Sequence, residues 1–139
     1  MKIILQDNRR HILRFDKDEE VLGGLTQYAQ ENNLQAAYFS AIGTCSTVEL
    51  GFFNSFLKEY RRKPYLDNME IVSLTGNIGT ADGQIAIHAH GSFANNEFGM
   101  VGGHVFKAVT LATCEVFIIV LDGTLNRAND MDWNLNLLT

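Results

Sequence analysis

The sequence predicts an α+β fold in which one principal helix packs on a mostly antiparallel, strongly curved sheet of seven or eight strands. Two observations lead to this prediction. A helical spacing of apolar residues occurs once, near the start of the chain, whereas apolar residues after Asn33 recur with a period of two. Turn signals such as Asp82-Gly83 and Asp122-Gly123 divide this second part into strands. The length of 139 residues fits one domain over residues 1–139.

The helix is predicted to begin after Asp16, which has the side chain of an N-cap residue and is followed three positions later by Glu19. Its core face is formed by apolar residues at helical spacing: Val21, Leu22, Leu25, Tyr28 and Ala29. Asn32-Asn33 marks the expected end. Gly23 and Gly24 each weaken a helix interior by about 1 kcal/mol relative to alanine. A close approach of the helix to the sheet would explain both glycines.

The strand pattern begins with one strand, or a bent pair of strands, over residues 2–15 and resumes after the helix. Further strands are predicted over residues 34–42, 47–53, 56–60, 69–74, 84–93, 105–113 and 115–121. Gly43 is expected to end the first of these, and Asn54-Ser55 is expected to form a hairpin turn. Residues 133–137 alternate between polar and apolar types and are predicted to add an edge strand.

The net charge of the chain argues against electrostatic binding of nucleic acid over a broad surface. The 11 Lys/Arg residues oppose 16 Asp/Glu residues, so the formal net charge is −5. Residues 1–63 hold nine basic against eight acidic residues, or +1, and residues 64–139 hold two against eight, or −6. One basic group lies near the middle of the chain: Lys58, Arg61, Arg62 and Lys63. We interpret this group as a solvated strand or loop, with contact to DNA as the alternative.

No segment of the sequence predicts a membrane span or a secreted protein. The longest apolar run, residues 116–121, is far shorter than the roughly 20 residues that cross a bilayer. The first residues lack the apolar core and cleavage site of a signal peptide. The two cysteines, Cys45 and Cys114, are too few for a disulfide framework and are expected to be small core residues. We therefore expect a cytoplasmic protein with no membrane partner.

The histidines carry the most informative pattern in the sequence. Successive side chains of a strand point to opposite faces, so His88 and His90 share one face of the strand over residues 84–93. The other face holds apolar residues: Ile85, Ile87, Ala89 and Phe93. Two imidazoles at this spacing can converge on one metal ion. The alternative is a polar sheet face that binds no metal.

His104 joins this pair if strand 84–93 pairs antiparallel with the strand that His104 begins, because His104 then lies beside His90. Gly102-Gly103 permits the close backbone approach that this arrangement needs. Three neutral imidazoles with an open fourth position describe a zinc-type site with room for water. The remaining histidine, His11, stands apart in the sequence and is expected on the surface.

Six short segments of the sequence, taken in order, resemble the plants and prokaryotes conserved (PPC) domain. The residues that carry the resemblance are 41–43, 48–50, 70–78, 88–90, 102–105 and 113–116. It extends from about residue 8 to about residue 121. The resemblance implies an α+β fold and assembly as a homotrimer. It also implies a metal, usually zinc, near the subunit interface, with His88, His90 and His104 as its ligands.

The resemblance brings a DNA-binding interpretation as well. Plant members join the domain to AT-hook motifs that bind the minor groove, and prokaryotic members carry a predicted DNA-binding label for this reason. No Arg-Gly-Arg-Pro occurs in this sequence, so it has no AT-hook. Two departures from the family pattern are the small Ala89 between the histidines and the weakly acidic loop 93–98. Neither departure removes a predicted metal ligand.

The composition gives independent support for a homotrimer. One helix is expected to cover fewer aromatic residues than the sequence holds: Phe52, Phe53, Phe56, Phe93, Phe98 and Phe106. A large apolar face left uncovered implies a partner, and cyclic homo-oligomers are the commonest arrangement. The alternative is that a second layer of the same sheet covers this face.

Three functions follow as hypotheses. The first is a trimeric metal-binding domain that binds a small molecule or catalyses metal-assisted chemistry on an unknown substrate. Glu70 and Glu115, together with Glu49, match family positions and are candidate catalytic carboxylates; the alternative is that they pair with Arg or Lys at a subunit contact. The second function is DNA binding, which the net charge disfavours. The third is a structural or regulatory trimer held by a structural metal.

Overall fold

The computed structural model describes residues 1–139 as one helix and nine strands. The helix, α1, is Val21–Glu31. The strands, in chain order, are β1 (Lys2–Gln6), β2 (Arg10–Asp16), β3 (Ala37–Asn54), β4 (Glu59–Tyr65), β5 (Met69–Ala81), β6 (Gln84–Ala94), β7 (Met100–Val120), β8 (Asn126–Asp130) and β9 (Leu135–Leu138). The fold is mostly β-sheet with a single helix, as the sequence predicts, and it has one or two strands more than expected.

The strands form one sheet that closes on itself. Its hydrogen-bonded order is β1-β2-β7-β3-β5-β8-β9, with β4 paired to β3 and β6 paired to both β5 and β7. Because β3 pairs with β5, β5 with β6, β6 with β7 and β7 with β3, these four strands form a closed circuit. The pairs are antiparallel except that of β5 with β8, where Thr80 lies beside Asn126 in a parallel arrangement. The sheet is therefore mixed rather than purely antiparallel.

β3 is a single strand of 18 residues because Gly43 bends it without ending it. Its register to β7 shifts between Gly43 and Cys45, which marks a β-bulge. Gly43 has a φ of +151°, and a side chain there would collide with the Thr113 carbonyl oxygen and the Cys114 backbone. Glycine is therefore required at this bend. The prediction that Gly43 separates two strands is wrong.

Several other boundaries differ from the sequence prediction. The predicted strands 105–113 and 115–121 form the single strand β7, and β5 continues to Ala81 instead of ending at residue 74. The turn after β3 extends to Lys58, which has a positive φ of 54°, so β4 begins at Glu59 rather than Phe56. The last residues form a hairpin of β8 and β9 instead of one edge strand. This hairpin joins the sheet through β5, and Arg127 on β8 reaches His88 on β6.

α1 begins later than predicted because Glu20, not Asp16, is its N-cap residue. The Glu20 carboxylate accepts hydrogen bonds from two backbone N–H groups of the first helical turn. It also accepts one from the backbone N–H of Ala108 on β7, so it joins the helix to the sheet. Asp16 instead ends β2, where its carboxylate pairs with two basic side chains. With 11 residues, the helix is too short to cross a bilayer.

The predicted core face of α1 packs on the sheet. All five of its residues are buried: Val21, Leu22, Leu25, Tyr28 and Ala29. Gly24 confirms the expected close approach, since a Cβ atom there would collide with the ring of Phe15 on β2, but a Cβ atom on Gly23 would meet the Glu20 carboxylate and not the sheet. Cys45 and Cys114 are buried and unpaired, as expected. Burial raises the pKa of Cys45 to about 11 and that of Cys114 to about 12.

His11 is buried, so its predicted surface position is wrong. Its Nδ1 lies 3.0 Å from the hydroxyl oxygen of Tyr28 on α1, and its Nε2 lies 3.1 Å from the carbonyl oxygen of Asp7. A buried polar side chain requires such partners. His11 therefore has a structural role between β2 and α1.

The six phenylalanines that one helix was not expected to cover are only partly buried in the structure. Phe93 is buried, Phe53 and Phe106 are half-buried, and Phe52 and Phe56 are exposed, as is Phe98. Exposed apolar side chains also line the outer face of β3 and β7: Tyr38, Ile42, Phe117 and Ile119. These residues are called the β3–β7 apolar face below.

Candidate metal centre

Three of the four histidines meet on the face of β6 and β7 that points away from the core. His90 on β6 is the direct register partner of His104 on β7, as the predicted antiparallel pairing requires. His88 lies two residues before His90 and shares its face, while Ala89 between them is buried in the core. Strand pairing therefore assembles the cluster from two separate parts of the sequence.

The three imidazole rings are close enough to act on one ion. The ring centroids are 5.2 Å apart for His88 and His90, 5.1 Å for His88 and His104, and 5.4 Å for His90 and His104. Each residue offers one ring nitrogen, and these nitrogens all lie within 4.8 Å of one another. His88 and His104 are half-buried and His90 is exposed, so the cluster is open on the side of His90.

Gly102-Gly103 lets three strands approach one another closely beside His104. A Cβ atom on Gly102 would lie 2.8 Å from the carbonyl oxygen of Gly91 on β6. One on Gly103 would lie 2.6 Å from the carbonyl oxygen of Gly51 on β3. Larger residues would push the strands apart at the histidines, so the two glycines have the packing role that the sequence predicts.

The half-buried histidines are held in their neutral form. Burial, together with the nearby charges of His88 and His90, lowers the pKa of His104 to about 4. Burial also lowers the pKa of His88, and the charge of Arg127 contributes to this shift. Imidazole binds a metal ion only when one ring nitrogen carries no proton. At pH 7, His88 and His104 therefore meet the first requirement of a metal ligand.

The donor set fits a zinc-type ion. Nδ1 of His104 is buried and has no hydrogen-bond partner in the protein, which costs free energy unless a ligand satisfies it. No carboxylate or cysteine belongs to the cluster. Three nitrogen ligands leave at least one coordination position for water or another ligand. His88, His90 and His104 are the residues that would hold the ion, and their role as ligands stays a prediction.

Arg127 on β8 contacts the cluster from the C-terminal hairpin. Its Nη2 donates to Nδ1 of His88 over 3.0 Å and to Oδ1 of Asn77 over 2.9 Å, while its Nη1 donates to the Asn136 carbonyl oxygen over 2.8 Å. A guanidinium has no acceptor atom, so Nδ1 of His88 must accept, and the neutral ring carries its proton on Nε2. Sequence reasoning missed Arg127, although it is one of only two basic residues after residue 63.

Aromatic rings support His104 from β4 and β7. The His104 ring centroid lies 4.8 Å from that of Tyr60 and 4.6 Å from that of Phe106. The Arg62 guanidinium lies 3.8 Å from the Phe106 ring centroid and pairs with the Glu49 carboxylate at 2.9 Å. Glu49 thus pairs with an arginine of its own chain. The packed rings hold the imidazole of His104 in a fixed orientation.

Glu70 and Glu115, the predicted catalytic carboxylates, lie outside the histidine cluster. Glu70 on β5 is opposite Ala94, and Glu115 on β7 is opposite Ile42. Eleven residues of strand, a path of about 35 Å, separate Glu115 from His104. Both glutamates are exposed. A catalytic role for either glutamate stays a prediction.

The predicted nucleic-acid residues lie together at one exposed edge. Lys58 occupies the turn before β4, and Arg61, Arg62 and Lys63 follow on β4; all four are exposed. β4 pairs only with β3, so its other edge is free. The Glu49 carboxylate offsets the charge of Arg62, which leaves three unpaired cations in this basic edge.

Comparisons with known proteins identify the fold and the family. A model of the Plants and Prokaryotes Conserved (PCC) domain matches residues 4–122. A metal-containing protein from Archaeoglobus fulgidus is 30% identical, with a TM-score of 0.89 over 100% of this chain and 99% of that chain. A Ralstonia eutropha JMP134 protein, whose name proposes DNA binding, is 28% identical, with a TM-score of 0.90 over 97% and 94% of the two chains. A plant- and prokaryote-conserved (PPC) protein from Pyrococcus horikoshii is 26% identical, with a TM-score of 0.88 over 95% and 92%.

No protein of curated function matches the chain. The family match includes the three histidines and the basic edge, but it ends before Arg127 and the β8–β9 hairpin. The family expected from the order of sequence motifs is confirmed by this match. The chain belongs to the Plants and Prokaryotes Conserved (PCC) domain family.

Proposed function

We propose that the chain binds one divalent metal ion of the zinc type through His88, His90 and His104. The observation that carries the proposal is the convergence of three ring nitrogens within 4.8 Å of one another. The lowered pKa of His104 supports it because no proton competes for the ring at neutral pH, and the buried Nδ1 of His104 supports it because this atom has no partner in the protein. The metal-containing relative from Archaeoglobus fulgidus gives further support.

The surroundings of the cluster favour a site that binds a small molecule or catalyses its reaction. A zinc-type ion supplies Lewis acidity and lowers the pKa of a bound water to about 7. His88 and His104 hold the ion as neutral ligands, Tyr60 fixes the ring of His104, and Arg127 adds a positive charge beside His88. A purely structural zinc site is closed by four protein ligands, whereas this cluster has three and is open beside His90.

Titration with Co²⁺ tests the metal site, because Co²⁺ in a four-coordinate site absorbs visible light far more strongly than hydrated Co²⁺ does. The wild-type chain is expected to bind one equivalent, and His90→Ala is expected to lose affinity at least about 100-fold. Ser92→Ala, on the same strand but outside the cluster, is the matched control and should bind like the wild type. Equal affinity in His90→Ala and the wild type would contradict the proposal. Unfolding on metal removal would instead favour a structural ion.

The β3–β7 apolar face supports the homotrimer that the sequence leads us to expect. Tyr38 lies directly opposite Ile119 on this face, and both side chains are about half exposed, at 45% and 50%. Water contact at the four apolar side chains of this face is unfavourable, and a second copy of the chain would remove it. Light scattering is expected to give three times the chain mass of 15.5 kDa. Ile119→Asp should lower the mass, and a monomeric wild type would contradict the trimer.

DNA binding is the second candidate function, and the names of relatives support it more directly than they support metal-dependent chemistry. The Ralstonia eutropha protein whose name proposes DNA binding is 28% identical to this chain. The basic edge of Lys58, Arg61, Arg62 and Lys63 is the surface that phosphates would contact. The net charge of −5 opposes this function, because affinity for DNA comes mainly from neutralised phosphates.

Gel-shift assays across a salt series test DNA binding. If the basic edge binds duplex DNA, retention should fall steeply with salt, and Arg61→Gln combined with Lys63→Gln should reduce both affinity and salt slope. Lys107→Gln, an exposed lysine on β7, is the control and should bind like the wild type. Absence of any retained duplex at low salt would contradict DNA binding by this chain.

A further inference from the structure

A cleft of about 230 Å³ lies beside the histidine cluster, between β6 and the β8–β9 hairpin. His88 and His104 line one part of it, and Ile87, Leu135 and Leu137 supply apolar walls. The volume is smaller than the roughly 300–1,000 Å³ of typical ligand sites and matches about eight water molecules at liquid density. A ligand that fills this cleft is therefore small and has an apolar body.

Arg127 gives the cleft a positive charge that no protein carboxylate compensates. Its side chain forms none of the six ion pairs of the chain. Of its five N–H donors, three bind protein atoms, and the buried Nε has no partner. Partial burial of an unpaired guanidinium is unfavourable. An anion in the cleft would supply the missing partner.

His88 cannot ligate a metal and keep its hydrogen bond from Arg127. If Nδ1 of His88 is the ligand atom, it no longer accepts from Nη2 of Arg127. If Nε2 is the ligand atom, the ring proton moves to Nδ1, which then donates rather than accepts. Either case frees an N–H donor of Arg127 and adds the charge of the ion to the same end of the cleft. Metal binding therefore strengthens the preference of the cleft for an anion.

We propose that the cleft binds a small monocarboxylate, with its carboxylate paired to Arg127 and its apolar body against Leu135 and Leu137. The proposal rests on the proposed metal site for the additional charge beside His88. A single guanidinium in an apolar cleft suits one planar carboxylate, which arginine recognises well. The apolar walls at Leu135 and Leu137 leave the remaining oxygens of a phosphate without hydrogen-bond donors, whereas the alkyl body of a monocarboxylate packs against them.

Calorimetric titration with hexanoate tests the carboxylate site on zinc-loaded protein. The wild type is expected to bind hexanoate at least tenfold more tightly than Arg127→Met does, and at least tenfold more tightly than it binds the uncharged hexanamide. Arg9→Met, which removes an exposed arginine paired with Asp122, is the matched control and should leave the affinity unchanged. Equal hexanoate affinity in the wild type and Arg127→Met, equal affinity for the two compounds, or no binding by the wild type would overturn the proposal.

A measurement of zinc retention, followed by the same titration on metal-free protein, separates the carboxylate site from the metal site. If the wild type retains no zinc but binds hexanoate in an Arg127-dependent way, the result contradicts the proposed metal site and supports the proposed carboxylate site. If it retains zinc and Arg127→Met binds hexanoate equally well, the carboxylate site alone fails. The NMR signal of the Arg127 Nε–H group gives a measurement that needs no stable variant. It is expected to shift with hexanoate and not with hexanamide, and no shift with hexanoate would overturn the proposal.

Discussion

His90 and His104 face each other as register partners on β6 and β7, and this one pairing assembles the histidine cluster. The sequence allowed its prediction for two reasons. A period of two assigns His88 and His90 to one face, and Gly102-Gly103 marks the close return of the next strand. The cluster depends on this register, because a slip of one residue would turn the histidines toward the core.

Arg127→Met is expected to tighten zinc binding by about tenfold. The Arg127 side chain holds Nδ1 of His88 through a hydrogen bond from a charged donor, which is worth about 1.5–3 kcal/mol, and about 1.4 kcal/mol corresponds to tenfold in affinity. Competition with a chromophoric chelator measures the change, with Arg9→Met as the control. An affinity that stays the same or falls in Arg127→Met would show that Arg127 does not compete with the ion.

The position of Arg127 could not be predicted from the sequence. Its strand, β8, joins the sheet through a parallel pairing with β5 that covers only two residue pairs. Such a short pairing leaves no periodic pattern by which the partner strand is recognised. The sequence does show that a basic residue is rare in this half of the chain, but rarity alone does not indicate a position beside His88.

Glu20→Ala is expected to destabilise the fold by about 1–3 kcal/mol. The substitution removes the cap of α1 and leaves the backbone N–H of Ala108 on β7 without its acceptor. Urea unfolding measures the loss. Asp16→Ala serves as the comparison, because its exposed ion pairs are worth about 1 kcal/mol or less. A larger loss in Asp16→Ala than in Glu20→Ala would contradict the assignment of the cap.

Gly24→Ala is expected to lower the stability by about 1–3 kcal/mol, even though alanine favours helix formation by about 1 kcal/mol over glycine. The added methyl group collides with the ring of Phe15, and the two elements must separate to admit it. Thermal unfolding measures the effect. Gln30→Ala, at an exposed position of α1, is the control and should change the stability little. A stabilising Gly24→Ala substitution would mean that the helix and sheet are not in close contact there.

Cys45 and Cys114 are expected to resist a thiol reagent at pH 8 in the native protein. Burial raises the pKa of Cys45 to about 11 and that of Cys114 to about 12, so less than about one thiol in a thousand is ionised, and neither sulfur is accessible. Both thiols should react after unfolding in urea. Reaction of one thiol in the folded protein at the rate of a free cysteine would contradict its burial.

The remaining differences between prediction and structure arise from contacts between elements that are distant in the sequence. The helix and its core face are predictable because their signal is local, whereas the burial of His11 depends on the Tyr28 hydroxyl of another element. Gly43 has the local signature of a break, but pairing on both sides keeps β3 continuous. Glu115 lies on β7 with His104, and Glu70 lies on β5, the neighbour of β6. Both strands are long, so both glutamates lie outside the histidine cluster.

Elemental analysis of the purified protein beside His104→Ala tests the central claim most directly. The cluster predicts roughly one zinc-class ion per chain in the wild type and the loss of most of it in the variant, with the circular dichroism of the β-sheet unchanged in both. A wild-type protein without bound metal, or equal metal in the two proteins, would contradict a three-histidine site.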